Sequence, residues 1–181
     1  VTTDHATGSV LVQKNGESFL LCGVQDGYSI NALNRFLQRC GNPRITVLAQ
    51  PAEQHNLSAE LRLAQLLEPK ILLCDEETAL LGEGQYPETV ELLPYRDTIR
   101  NILSDYTLYE LGGVGTILQF GTQKVLKCWT GYDIITAEDI PDDVTAVIDR
   151  TGNLWLRPDC GWRLYQSGSL TITLPKEDSA L

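Results

Sequence analysis

The sequence predicts one α/β domain that is rich in β-sheet. In the first half, short apolar runs alternate with amphipathic helical patterns, whereas the second half consists almost entirely of short apolar or alternating runs separated by Gly, Pro and Asp. The 181 residues, 43% of them apolar and 21% charged, suit one globular domain. No repeat or linker divides the chain. We therefore expect a single domain over residues 1–175 and a frayed polar tail over 176–181.

The first half opens with a predicted hairpin, because two apolar runs flank Asn15-Gly16, a strong hairpin-turn signature. Ser29 is the expected N-cap of the first helix, and Gly41 closes that helix. The predicted elements are, in order, strands at 9–13 and 18–22, a helix over 30–40, a strand at 45–49, a helix over 57–67 and a strand at 70–74.

The second half shows almost no helical periodicity, so we expect few helices to cover it. Its predicted strands lie at 89–93, 96–103, 107–111, 116–120, 124–129, 144–149, 154–157 and 170–174. Trp129, Trp155 and Trp162 fall among these strands, and we expect them to pack in the core. The alternative is an aromatic platform for single-stranded nucleic acid beside Arg157 and Arg163.

Composition narrows the classes of function. With 24 acidic and 14 basic side chains, the net charge of −10 argues against a surface built to grip phosphate backbones. No apolar stretch approaches the roughly 18–20 residues of a membrane span, and no signal peptide is evident. The chain contains no Met and begins at Val1, so we expect a piece of a longer protein. The five cysteines form no CxxC pair, and we expect them to act mainly as small buried apolar residues.

Four stretches carry a resemblance to a known family. They are Asp4–Val12 (DHATGSVLV), Phe19–Gly23 (FLLCG), Thr46–His55 (TVLAQPAEQH) and Lys124–Asp133 (KVLKCWTGYD). In order and spacing they resemble the D-V-G-Q-G-D-A-x-L, I-L-I-D-x-G, L-V-L-T-H-P-H-A-D-H and T-G-D motifs of the metallo-β-lactamase-like C-terminal domain of ComEC-type DNA-uptake proteins. The resemblance covers about residues 4–150. It implies an αββα sandwich of two mixed sheets flanked by helices, trimmed in the second half.

The chain departs from the family at the metal motif. Gln50 stands in place of the first His, Ala52 in place of the second and Gln54 in place of the Asp, so that only His55 is retained. Gln50 and Gln54 are expected to hydrogen-bond each other or His55. His55 itself is interpreted either as a remnant of the metal site or as a cap of the second helix.

Two later family elements also differ. Asp133 is similar in place to the Asp of T-G-D, although Tyr132 is inserted before it, and the alternative is that Asp133 forms a turn with Thr130 and Gly131. Arg150 stands near the place of the P-H-H-G histidines, and we expect it to pair with Asp133 or Glu53, with anion binding as the alternative.

A metal-dependent hydrolase of this fold needs ligands that hold ions able to lower the pKa of a bound water. The chain has only His5 and His55, and glutamine amides are poor zinc ligands, so we expect no metal cofactor. The resemblance therefore implies a non-catalytic, metal-site-degenerate domain, or pseudoenzyme, of a ComEC-like competence protein. Its expected location is outside the membrane of a bacterial cell, and its partner is the remainder of a multi-pass membrane protein, with weak DNA contact and no small-molecule cofactor.

Two alternatives remain open. One is a residual metal-dependent phosphodiesterase or nuclease that acts on DNA, with Zn or Mn held by His55, Asp133 and, as the weakest candidate, Glu53. The other is a scaffold that contacts further protein chains, kept soluble by its acidic surface.

Overall fold

The structure, a computed structural model, describes residues 2–4, 7–14, 16–22, 26–50, 56–74, 80–82, 84–94, 100–103, 106–111, 114–120, 122–129, 140–157 and 163–165. Two β-sheets pack face to face, and two helices cover the outer face of the first sheet. The first half contains β1 (Thr2–Asp4), β2 (Ser9–Lys14), β3 (Glu17–Leu21), α1 (Gly27–Arg39), β4 (Val47–Ala49), α2 (Leu57–Leu67), β5 (Ile71–Cys74) and β6 (Glu91–Pro94).

The second half contains only strands among its described elements. They are β7 (Arg100–Leu103), β8 (Tyr106–Leu111), β9 (Gly115–Phe120), β10 (Gln123–Cys128), β11 (Ala146–Ile148), β12 (Leu154–Leu156) and β13 (Arg163–Tyr165). No helix in the described ranges has the length and apolar content needed to cross a membrane.

Both sheets are mixed, as the sequence predicts. The first has the strand order β1-β2-β3-β4-β5-β6, with an antiparallel start and parallel pairing from β3 to β6. The second has the order β13-β12-β11-β10-β9-β8-β7 and is antiparallel except for the pair β10 and β11. Helical crossovers connect β3 to β4 and β4 to β5, as parallel pairing requires.

The apolar side chains form three layers. The layer between the sheets takes alternate residues of both, such as Phe19 and Val47 from the first and Val125 and Ile148 from the second. A second layer lies between the first sheet and its two helices. A third covers the outer face of the second sheet, where residues of β9, β10 and β11 pack against Ile140 and other neighbours outside the sheet.

Most predicted elements are confirmed, with corrections at their ends. The helix over 57–67 is found where it was predicted, but the predicted Ser29 cap of α1 is wrong. The N-cap is Asp26, whose carboxylate accepts a hydrogen bond from the Ser29 backbone N–H at 2.7 Å, and α1 therefore begins at Gly27. Hydrogen bonds from Ser29, the backbone bond first, lower the pKa of Asp26 from its usual value. The predicted strand at 170–174 lies outside the described residues.

The expectation for cysteine is confirmed at three positions, since Cys22, Cys74 and Cys128 are buried. Burial raises the pKa of Cys128 to about 11, so this thiol stays protonated at neutral pH. Core packing is also confirmed for Trp129, which is buried between the sheets, while Trp155 is partly buried on the outer face of the second sheet. Trp162 lies outside the described residues.

Candidate functional site

Gln50 and Arg150, the two described positions that resemble the family's metal motifs, come to one edge of the sandwich, which we call the carboxyl rim. Because β3, β4 and β5 are parallel, their carboxyl ends meet there, and the turn before β2 joins them through its antiparallel pairing with β3. The parallel strands β10 and β11 end together in the second sheet. A Cβ atom placed on Gly8, in the turn before β2, would lie 2.7 Å from the Arg150 carbonyl oxygen, so the strand ends of both sheets meet at this rim.

The first sheet presents buried polar groups at the carboxyl rim. Gln50, directly after β4, is buried, and its backbone N–H donates to the Leu73 carbonyl at 3.3 Å. Ser9 at the start of β2 is buried as well, and its hydroxyl lies 3.9 Å from the Cys22 sulfur at the end of β3. Thr7 donates a hydrogen bond to Ser9 Oγ at 2.7 Å. These groups are an amide, two hydroxyls and a thiol, and none of them is a carboxylate or an imidazole.

The second sheet contributes a buried cation at the same rim. Lys127 of β10 shares its face with Val125 and Trp129, which lie in the layer between the sheets, and only 1% of the lysine is exposed. Its Nζ donates to the Asp149 carbonyl at 2.6 Å and lies 4.9 Å from the centre of a Trp129 ring. Burial lowers the pKa of Lys127 to about 8, so the ammonium form still predominates at pH 7.

The carboxylate of Asp149 organises the turn that follows β11. One oxygen accepts hydrogen bonds from the Thr151 backbone and hydroxyl and from the Asn153 backbone, and the other accepts from the Asn153 amide and from Trp155 Nε1. Burial alone would raise the pKa of Asp149, but the donors on Asn153, Trp155 and Thr151 outweigh burial and lower it. The carboxylate is thus ionised at neutral pH and engaged in shaping the turn.

The structure describes only part of the predicted site. Gln50 and Arg150 are brought to the carboxyl rim, with Gln50 buried and Arg150 exposed. The other predicted positions lie outside the described residues: Ala52, Glu53, Gln54, His55 and Asp133. The predicted pairing of Arg150 with Asp133 or Glu53 therefore stays a prediction. The alternative role of His55 as the cap of α2 is wrong, because Asn56 is the N-cap and its side chain accepts from the Ala59 N–H at 3.2 Å.

The described residues of the carboxyl rim do not fit a divalent cation. Within the part of the chain that the structure describes, no three His, Cys, Asp or Glu side chains lie close enough together to hold a metal ion. Gln50 offers an amide, which is a poor metal ligand beside imidazole and carboxylate, and the buried ammonium of Lys127 adds a positive charge to the rim that repels a metal ion. No chemical step through a metal follows from these residues.

Two residues of the rim were missed by the sequence analysis, Lys127 and Asp149. The sequence around Lys127 did signal an unusual position, because a charged side chain at an inward-facing position of an apolar strand is uncommon. Asp149 precedes Thr151 and Asn153 in a short turn between two apolar runs. In such turns the Asp side chain commonly accepts hydrogen bonds from the backbone that follows it.

Comparison with solved structures gives matches that share this architecture. Zinc-bound PqqB from Methylobacterium extorquens matches with a TM-score of 0.50 and 12% identity over 72% of this chain and 51% of the other. VMB-1, whose crystal structure was obtained at pH 5.5, matches with a TM-score of 0.50 and 10% identity over 81% and 77%. This chain thus spans about half the length of the PqqB structure. No family model and no curated protein matches the sequence.

Both solved structures are metallo-β-lactamase-fold proteins, and the two packed mixed sheets described above agree with that fold. The chain has the metallo-β-lactamase fold. The expected sandwich of two mixed sheets is confirmed, and helices are few, with none among the described elements of the second half.

Proposed function

We propose that this chain is a non-catalytic metallo-β-lactamase-fold domain of a ComEC-like DNA-uptake protein, with a structural or DNA-proximal role. The chemistry of the carboxyl rim carries the proposal: its described residues include an amide at Gln50, a buried ammonium at Lys127 and a guanidinium at Arg150, and the resemblance puts Gln50 and Arg150 near histidine positions of the metal motifs. These groups cannot activate a water as a bound metal ion does.

The ComEC-like assignment is supported by the four motif-like stretches and their order along the chain. As part of the same proposal, the domain lies outside the membrane of a bacterial cell and works with the remainder of a multi-pass membrane protein. The net charge of −10 implies that any contact with DNA is local and weak, since affinity for a phosphate backbone depends on Lys and Arg.

Metal content is the decisive test of the non-catalytic role. We would purify the chain without chelator, measure bound metal, titrate Zn²⁺ and Mn²⁺ while following the thermal midpoint, and assay cleavage of single- and double-stranded DNA. We expect no stoichiometric metal, no rise in the midpoint and no cleavage. Stoichiometric metal with cleavage that is lost in His55→Ala or Asp133→Ala, and kept in the control His5→Ala, would replace the proposal with a metal-dependent phosphodiesterase.

The DNA-proximal part of the role needs its own measurement. Fluorescent single-stranded DNA is titrated with the chain at low and at physiological salt, with Arg150→Ala as the variant and Arg35→Ala, an exposed site on α1, as its control. We expect weak binding that disappears as salt rises and is reduced by Arg150→Ala alone. Binding absent at low salt would leave a purely structural role.

A further inference from the structure

The buried amine of Lys127 lies between chain segments from the two sheets. Its Nζ donates to the Asp149 carbonyl after β11, and a Cβ on Gly8, before β2, would lie 3.2 Å from the same nitrogen. Gly8 directly precedes β2 of the first sheet, and Asp149 directly follows β11 of the second sheet. A single amine thus lies at the point where the two sheets approach each other at the carboxyl rim.

Gly8 is shaped to allow this approach. Its φ of +64° falls in the left-handed region that favours glycine, and any side chain there would collide with the Arg150 carbonyl oxygen 2.7 Å away. The turn before β2 therefore approaches the turn after β11 more closely than a side chain at position 8 would allow, and Lys127 lies beside both turns. Lys127 bonds to the backbone carbonyl of Asp149, while the carboxylate oxygens of Asp149 accept hydrogen bonds from Thr151, Asn153 and Trp155.

We propose that Lys127 is a positioning residue whose buried amine, by donating to the Asp149 carbonyl beside Gly8, holds the turn after β11 against the turn before β2 at the carboxyl rim. An amine donates this hydrogen bond in either protonation state, and the neutral form does so without the free-energy cost of burying a charge. The bridging rests on the contacts of Nζ and not on the proposed function.

The test is amide hydrogen exchange read by mass spectrometry on peptides covering 7–12 and 146–154, with a peptide of α1 as reference. Lys127→Met keeps the length and apolar part of the side chain but removes the donor. We expect exchange in the two rim peptides to become about ten- to hundred-fold faster, the loss typical of a buried charged hydrogen bond, while α1 keeps its rate. The matched control is Lys124→Met on the same strand, where the lysine is paired with Asp143 and partly exposed, and it should leave the rim peptides unchanged.

Dependence on pH gives a readout that simple packing would not move. The pKa of Lys127 is below its unfolded value of 10.5, so opening of the rim takes up a proton between pH 8 and 10.5, and protection of the rim peptides rises with pH in that window. We expect a rise of up to about tenfold per pH unit, after correction for intrinsic exchange, in the wild type but not in Lys127→Met. Asp149 titrates well below this window and Cys128, with a pKa of about 11, above it.

Three results would overturn the bridge: unchanged rim exchange in Lys127→Met, equal acceleration in the α1 peptide, or the same pH slope in the wild type and the variant. Gly8→Ala offers a second route, since it disturbs the approach from the first sheet and should speed exchange of the 146–154 peptide across the contact. Metal is measured on the same wild-type sample. Bound metal would overturn the proposed function and leave the bridge standing, whereas unchanged exchange in a metal-free protein would overturn the bridge alone.

Discussion

The two sheets share one apolar layer but are covered differently on their outer faces. The first sheet packs Leu20, Leu48 and Leu72 beneath helical residues such as Phe36 of α1 and Leu63 of α2. The second sheet packs Ile117, Leu126 and Val147 beneath Ile140 and Val144, which belong to no described helix, and beside the partly buried Trp155. Among the described residues, two regular helices thus cover the first sheet, and apolar residues of the irregular segment 140–145 cover the second.

This difference matters for how precisely each face is packed. A helix presents its apolar residues at fixed spacing, so each one enters a defined gap between sheet side chains. An irregular segment can settle around a missing methyl group more easily, because its backbone is not held by a ladder of internal hydrogen bonds. The helix-covered face should therefore respond more strongly to truncation than the face covered by the segment.

The largest effect is expected at Phe36, which is fully buried where α1 packs on the first sheet. Phe36→Ala should lower the free energy of unfolding by about 3–5 kcal/mol, because it removes a ring and leaves a cavity between rigid elements. The measurement is urea denaturation followed by circular dichroism. Tyr28→Ala on the same helix is the control, since this ring is 78% exposed, and it should change stability by less than about 0.5 kcal/mol. A loss below about 1 kcal/mol for Phe36→Ala would contradict the packing of α1.

A pair of identical truncations sharpens the comparison. Leu48→Ala beneath the helices and Leu126→Ala beneath the irregular segment remove the same atoms from fully buried positions. Both losses should fall within about 2–5 kcal/mol, with the loss for Leu126 the smaller because its cover can relax. Urea denaturation of both variants checks this order, and Leu81→Ala, at a 58% exposed leucine, sets the baseline. A larger loss at Leu126 would show that the irregular cover is as rigid as the helices.

A smaller, pH-dependent effect is expected at the rim of the second sheet. Asp149→Asn keeps the shape of the side chain but removes one of the two acceptor oxygens of the turn, so it should destabilise the protein by about 1–2 kcal/mol at pH 7. The folded-state pKa of Asp149 is lowered, so its contribution is present above the usual carboxyl pKa and is lost as pH falls through the folded value. Thermal midpoints of the wild type and the variant, measured from pH 7 to pH 3, should converge in acid. A gap in thermal midpoint that stays constant down to pH 3 for Asp149→Asn would contradict this role of the carboxylate in the turn.

The smallest effect is expected at the start of α2, on the helix-covered side of the rim. Asn56→Ala removes the side-chain oxygen that accepts from the Ala59 N–H and should lower the free energy of unfolding by about 1 kcal/mol. Ser58→Ala in the same turn is exposed and serves as the control. Chemical denaturation of both variants should separate them, and equal stabilities would show that the end of α2 is held by packing rather than by its cap.

Helix-covered elements were the easiest to predict from sequence. The helix over 57–67 has its apolar residues at helical spacing and ends just before Pro69, so its bounds were read correctly. At α1, Ser29 is an equally acceptable cap by residue type, but Asp26 lies one turn earlier and its carboxylate accepts from the Ser29 backbone. Propensity alone does not choose between two good caps that lie within one turn of each other.

Elements that depend on distant partners were harder to predict. The edge strands β1 and β13 have only three residues each and exist because β2 and β12 offer unpaired edges, so their own sequences carry little information. At the candidate site, the resemblance led to Gln50 and Arg150, which do come to one rim. Lys127 and Asp149 escaped notice because their role depends on how the two sheets meet, which no local pattern specifies.

The pairing pattern of the two sheets also bears on the time course of folding. In the second sheet, β7, β8, β9 and β10 follow one another as hairpins with short turns, so their contacts form between nearby residues. In the first sheet, each parallel pair from β3 to β6 is separated along the chain by a crossover connection. Pairing of these strands is slower, because more of the chain must be ordered before their contacts form. The meander of β7 to β10 is thus the natural nucleus. Its apolar inner face stays open to other chains until the parallel sheet arrives, which makes that interval the one in which this protein is most prone to aggregate.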